Sequence, residues 1–192
     1  MKTLIFDIDG TLTNLWPLEK TVLLFLLGKQ FEKRIEEIKF TGLFDNYKIY
    51  RSISKKKLTK HQYFILYNRV VNTLAKKDLL PQPKKYPLVS WIISNKNNYT
   101  FIYATGGQRT EALYVLAQLN LSSYFDLQNS IDKTSCSFSK TTGIPLKRIK
   151  AKFEDCLLVT DTVSDCEGAV KAKIPYQLIK SNSFVPFLPN FV

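Results

Sequence analysis

The chain is short of acid. Sixteen Asp and Glu stand against 28 Lys and Arg, giving a net charge of +12 and a pI of about 9.6. Such a balance favours anionic partners: phosphorylated metabolites, nucleic acid or an acidic membrane surface. Cysteine is scarce as well. Cys136, Cys156 and Cys166 are odd in number and unevenly spaced. That excludes a disulfide framework or a zinc pattern and predicts a reducing, cytoplasmic setting. Cys156 and Cys166 read instead as small core residues. Long hydrophobic runs are missing too. The longest, Val22 to Leu27, is far too short to cross a bilayer, so no membrane span is expected. No secretory signal precedes the first strand. Repeats and low-complexity segments are absent. The lone histidine, His61, sits among lysines and reads as solvated surface. Nothing in the sequence signals an oligomeric state.

What is present is a chain of 192 residues, 45% hydrophobic. That suits one domain, or a core domain with a small insertion. Its organising stretch is Phe6-Asp7-Ile8-Asp9-Gly10-Thr11-Leu12-Thr13. The apolar run Thr3 to Phe6 before it reads as a buried strand. Two carboxylates follow at the strand's end, and Gly10 permits a sharp turn there. In an open α/β sheet, ligands gather beyond the carboxyl ends of the strands. Two nearby carboxylates repel, and a hard divalent cation such as Mg2+ is the natural way to hold them together.

Downstream, Pro17 to Leu27 and Phe31 to Ile38 read as helices, and Thr41 to Asn46 as a turn. A long helix is expected over Thr59 to Lys76, with Thr59 as N-cap and an apolar face of Phe64, Ile65, Val71 and Leu74. Pro81, Pro83 and Pro87 mark a linker. The spacing then predicts a helix over Pro87–Asn95, a strand over Tyr99–Ala104 and a helix over Gln108–Leu119. A short strand is expected within Asp126–Ile131 and a helix over Pro145–Lys152. Cys156–Thr160 reads as a strand, Ser164–Lys173 as a helix and Tyr176–Ile179 as the last strand. The tail from Ser181 gives no signal. Strands alternating with helices imply an α/β fold, a Rossmann-like parallel sheet with helices on both faces. The expected domains are a discontinuous core, 1–13 and 81–192, and a small helical cap, 14–80, inserted after the first strand.

Polar clusters fall at or after the strand ends: Asp7 and Asp9; Thr105 and Gly106; Lys140 in a Ser-Lys-Thr-Thr-Gly loop; Asp161 and Asp165. A hydroxyl and a glycine amide opening a helix suit phosphate oxygens. A lysine neutralises charge that builds during phosphoryl transfer. Carboxylates from both ends of the chain can clamp Mg2+, and an aspartate can attack phosphorus.

In these four clusters and their order the sequence resembles the haloacid dehalogenase-like (HAD) superfamily of phosphohydrolases. Phe6 to Thr13 resembles its motif I, Thr105 motif II, Lys140 motif III and Asp161 to Asp165 motif IV. The resemblance implies a Mg2+-dependent phosphatase that hydrolyses a phosphomonoester of a small metabolite through an aspartyl-phosphate. By that likeness Asp7 is the nucleophile and a metal ligand. Asp9 is the acid/base, its carbonyl touching the metal. Thr105 and Gly106 hold the phosphoryl group, and Lys140 bridges it to Asp7. Asp161 completes the metal site, and Asp165 supports it or orients Lys140. A carboxylate at Asp9 favours phosphoryl chemistry over carbon–halogen cleavage. Alternatives are a phosphomutase or phosphotransferase of the same superfamily, or a catalytically silent nucleic-acid-binding protein. For the last there is charge but no recognisable motif.

This sequence departs from the family pattern at Thr160, where Gly is usual, at Thr162, often Ser, and at Thr141, often Pro. Lys133 is a rival for the role of Lys140. Trp16 reads as packing at the cap hinge or as lining the entrance. Lys147, Arg148, Lys150 and Lys152 read as a solvated helix face. Residues 46–77 carry nine Lys and Arg and no acid, which is expected to attract a polyanionic substrate.

Overall fold

The computed structural model describes residues 2–41 and 45–182. Among these, four strands form one sheet: β1 (Thr3–Phe6), β2 (Thr100–Tyr103), β3 (Cys156–Thr160) and β4 (Tyr176–Leu178). Their spatial order is β2-β1-β3-β4, and every pairing is parallel. The first strand is central: Thr3 pairs with Thr100 on one side and Cys156 on the other. β1 and β3 are buried at every position, as expected of a parallel sheet covered on both faces.

Among the described residues eight α-helices accompany the strands: α1 (Trp16–Leu27), α2 (Glu32–Phe40), α3 (Asn46–Ile53), α4 (Lys60–Lys76), α5 (Pro87–Ser94), α6 (Arg109–Gln118), α7 (Ile144–Lys150) and α8 (Val163–Ala172). The chain divides into two compact units, residues 1–14 with 84–192 and residues 15–83.

In the first unit, alternation along the strands sorts the core. Ile5, Ile102 and Leu158 point to one face and pack with Leu146 and Ile149 of α7 and Ala169 and Ala172 of α8. The other face is aromatic. Phe6 meets Phe101 and Phe125 edge-on at 5.9 and 6.1 Å between ring centres, and Trp91 of α5 lies 6.4 Å from Phe101. Edge contacts of this kind add roughly 0.5–1.5 kcal/mol each beyond the area they bury.

The second unit is helical among its described residues. Asp45 caps α3, accepting from the amides of Tyr47 and Lys48, and Thr59 and Gln62 form a capping box on α4. Lys20 of α1 pairs with Glu32 and Glu36 of α2, both at 2.6 Å. The core is rich in tyrosine. Tyr63 is fully buried, with the rings of Tyr47, Tyr50, Phe64 and Tyr67 within 5.0–5.6 Å.

The sequence reading needs three corrections. The buried face of α4 is Tyr63, Tyr67, Val70, Val71 and Leu74, whereas Ile65 is 43% exposed. The helical period runs through two tyrosines whose hydroxyls disguise it. Residues 126–131 form no strand. The Asp126 carboxylate binds the amides of Gln128 and Asn129, turning the chain, and only Phe125 and Ile131 make isolated bridges, to Phe101 and Ala104. Helix α3 begins at Asn46, inside the expected turn; residues 42–44 of that turn lie outside the described residues.

Candidate active site

Because β1 lies between β2 and β3, the residues after these three strands share one edge of the sheet. Asp7 follows β1, Thr105 follows β2 and Asp161 follows β3. A fourth element reaches the same edge. Lys140 opens a short 3-10 turn, Lys140–Thr142, that packs against α8. Gly168 makes this approach possible, since a Cβ there would overlap the Lys140 carbonyl. Gly168→Ala is therefore expected to lower stability by about 1–3 kcal/mol, the cost of overpacking. Alanine in a helix interior ordinarily gains roughly 0.5–1 kcal/mol over glycine. Chemical denaturation checks the sign, and a variant as stable as the parent would contradict the close approach.

The Lys140 ammonium sits between two carboxylates, 2.7 Å from Asp7 Oδ1 and 2.5 Å from Asp165 Oδ2. All three residues are buried. Burial alone would lower the lysine's pKa, but the two carboxylates outweigh it and hold Lys140 above its ordinary value. One ammonium does not neutralise both. Burial pushes the Asp7 carboxyl up to about 7, against the pull of Lys140 and with the repulsion of Asp165 and Asp9. Lys140, rather than its rival Lys133, makes these ion pairs.

Asp9 is exposed and lies in a tight loop where the Gly10 amide donates to the Thr13 carbonyl at 2.7 Å. Gly10 adopts φ 75°, and a Cβ on it would overlap the Asp161 carboxylate. Glycine thus serves twice here, for the turn and for the close approach of Asp161. The Asp161 carboxylate accepts from Thr11 Oγ1 at 3.4 Å and Thr162 Oγ1 at 3.3 Å. Burial raises its pKa, against its own amide and Thr162.

Thr105 is buried, and its hydroxyl accepts the Gly107 amide at 3.1 Å. The Cα of Gly106 faces open space. With Lys140 and Asp165 these two residues line a cavity of about 130 Å3. The structure thus brings Asp7, Lys140 and Asp165 into contact and sets Asp161 against Gly10 of the motif I loop. Asp165 is engaged by Lys140 and Thr160.

Two contributors were hidden in the sequence. Thr160, a departure from the family pattern, donates its hydroxyl to Asp165 at 3.0 Å and accepts the Thr162 amide at 3.2 Å. Asp132 has a fully buried side chain that accepts from Tyr103 Oη at 3.1 Å and from the amides of Thr134 and Ser135. It fixes the loop whose Ile131 carbonyl accepts the Thr105 amide. Burial, with Asp132, raises the Tyr103 phenol pKa, so the phenol remains a donor. A hydroxyl at a strand end was a visible clue for Thr160. Nothing local marks Asp132, whose partners come from Tyr103, from Arg109 of α6 at 3.7 Å and from its own turn.

The donor set suits a divalent cation. Asp7, Asp9, Asp161 and Asp165 share one edge with a single buried lysine, and burial, with the repulsion of Asp165 and Asp9, raises Asp7. Hard oxygen donors in such excess fit Mg2+. Among the described residues no three acid, His or Cys side chains already converge in ligating geometry. Asp7 instead leans on Lys140, and Asp161 on two threonines.

No curated protein matches the chain. Solved structures do. A HAD hydrolase of family IA, variant 3, from Entamoeba histolytica is 20% identical, with 94% of this chain and 85% of that chain covered and a TM-score of 0.69. CbbY from Rhodobacter sphaeroides, in complex with xylulose-(1,5)bisphosphate, is 12% identical over 92% and 84%, at TM-score 0.67. YfnB from Bacillus subtilis, bound to magnesium, is 14% identical over 100% and 91%, at TM-score 0.62. These likenesses establish the fold. Among the described residues no helix is long and apolar enough to cross a membrane. The family model for haloacid dehalogenase-like hydrolases matches residues 4–179, and the chain belongs to that family.

Proposed function

We propose that the protein is a Mg2+-dependent phosphatase, hydrolysing a phosphomonoester of a small metabolite through a phosphorylated Asp7. The observation that carries this reading is the Lys140 ammonium held between Asp7 and Asp165, beside Thr105 and the open Gly106. The bisphosphate in the Rhodobacter protein and the magnesium in the Bacillus protein support it. Residues 15–83 are read as a substrate-selecting cap, on the ground that they are inserted between β1 and β2.

Asp7 attacks phosphorus, and the bond to the leaving oxygen breaks. The proton from Asp9 goes to that oxygen. Asp9, now a carboxylate, takes a proton from water, which attacks the same phosphorus. The Asp7–phosphorus bond breaks, releasing phosphate and restoring both carboxyl groups. Thr105 and the Gly106 amide hold the phosphoryl oxygens, and Lys140 offsets their charge. Asp7, Asp9 and Asp161 would hold Mg2+, which supplies a positive charge that favours ionised Asp7 and draws anionic substrate in.

A screen of phosphorylated metabolites for phosphate release, with Mg2+ or with chelator, tests the proposal. An isomerised sugar phosphate without free phosphate would overturn it in favour of a mutase. Asp9→Asn is expected to slow turnover about 10^2–10^4-fold, the range for loss of general acid–base catalysis. On a substrate with a good leaving group it should trap enzyme heavier by one phosphoryl group, visible by intact mass. Parent-like turnover with no adduct would remove Asp9 from this role.

A further inference from the structure

The loop from Thr105 to Gly107 holds two consecutive glycines, which cost more backbone entropy to fix than other residues. Its shape is therefore imposed from outside. Two main-chain bonds do this: the Thr105 amide donates to the Ile131 carbonyl at 2.9 Å, and the Lys133 amide donates to the Gly107 carbonyl at 3.0 Å. Residues 131 and 133 thus grip the loop at both ends. Asp132, between them, bonds to neither end through its backbone. Its amide donates to Ser135 Oγ at 3.0 Å, and its carbonyl accepts from the Cys136 amide at 2.9 Å.

The Asp132 carboxylate joins these pieces. Oδ1 accepts from the Thr134 and Ser135 amides, both at 2.9 Å, and shapes the gripping turn. Oδ2 accepts from Tyr103 Oη at 3.1 Å and lies 3.7 Å from Arg109 Nη1. Tyr103 ends β2 just before the loop, and Arg109 begins α6 just after it. The turn needs only Oδ1, and an exposed Asp, Asn or Ser makes such a turn. Burying a charge for that purpose alone is costly. The side chain is nevertheless 0% exposed, and its second oxygen faces the two residues that bracket the loop.

We propose that Asp132 is a positioning residue: it sets the Thr105–Gly107 loop in the shape that receives phosphoryl oxygens, and so governs affinity for the phosphate group. This rests on the phosphatase reading for the loop's ligand. Asp132 touches no reacting atom. It acts through Ile131 and Lys133 on the loop, and through Tyr103 and Arg109 on the elements that carry it.

Asp132→Asn, in the full chain, separates the roles of the two oxygens. The carboxamide oxygen still serves the turn, while its NH2 group meets the Tyr103 hydroxyl and the Arg109 guanidinium. The variant should fold and should raise KM for p-nitrophenyl phosphate about tenfold, the effect of losing one charge-assisted hydrogen bond, with kcat changed much less. Inorganic phosphate should weaken as a competitive inhibitor by the same factor. Hydrogen–deuterium exchange without ligand should quicken over residues 104–109 and stay unchanged in β1 and β3. Tyr103→Phe removes the donor to Oδ2 and keeps the carboxylate, so it carries the test should Asp132→Asn fold poorly. It should give a smaller loss of the same kind, and the double variant should lose little more than Asp132→Asn, since both act through one contact. A lower melting temperature with parent-like KM, or with parent-like exchange over 104–109, is what a merely structural carboxylate gives and overturns the proposal. Should the parent hydrolyse no substrate, the phosphatase reading falls, while the exchange still decides whether Asp132 holds the loop.

Discussion

Asp7→Asn is expected to abolish turnover and to leave a folded protein. The amide has nearly the size of the carboxylate but is a poor nucleophile. Removing a catalytic nucleophile costs roughly 10^4–10^6-fold in kcat. The same substitution has a second signature that does not depend on activity. The folded pKa of Asp7 stands at about 7, above its ordinary 3.8. A carboxyl raised in this way contributes stability below the lower value, and that stability is lost as pH rises through the higher one. Asparagine does not titrate. In chelator, Asp7→Asn should therefore gain stability relative to the parent between about pH 4 and 7, with the gap constant above that window. Thermal melts across pH measure this. A gap that shrinks with rising pH would show that Lys140 dominates over burial, and appreciable Mg2+-dependent phosphate release would end the role of Asp7 as nucleophile.

Lys140→Met should cost both activity and fold stability. It leaves Asp7 and Asp165 buried around a thioether, with Thr160 as the remaining donor to Asp165. Removing one partner of a buried ion pair typically costs about 3–5 kcal/mol. Protonation of Asp7 is the available relief, so the penalty should be smallest in acid and grow toward neutral pH. Urea denaturation at two pH values reads the trend. A double variant, Lys140→Met with Asp7→Asn, removes one of the stranded carboxylates and should recover part of the loss. A stability unchanged by Lys140→Met at neutral pH would mean that the ammonium is not what holds these carboxylates together. The two single effects share one contact, so they should not add.

The α/β class and the sheet were legible because β1 and β3 are short, mostly apolar runs followed by aspartate. The helices with Pro at their first turn, α1, α5 and α7, were legible for the same local reason. What the sequence hid was nonlocal. Lys133 and Lys140 both stood in suitable loops, and what singles out Lys140 is its ion pairs with Asp7 and Asp165 and the packing of Gly168 against its carbonyl. The threonine that departs from the family pattern at 160 is, in three dimensions, a hydrogen-bond donor to Asp165. Helix α3 was missed although Asp45 caps it, because the Gly-Leu-Phe before it invited a turn. Tyr63 and Tyr67 belong to the core although their hydroxyls mark them as polar in the sequence.

The central place of β1 has a consequence for the order of synthesis. Its two neighbours in the sheet begin at Thr100 and Cys156. At roughly 5–20 residues per second, an apolar strand emerges and waits about 5–20 seconds for its first partner, and longer for the second. During that time both of its edges are open, the arrangement most prone to mispairing between nascent chains. The helical residues between β1 and β2 are the first that can fold on their own contacts, since helices close locally. The insertion thus occupies the interval in which the sheet has a centre and no sides.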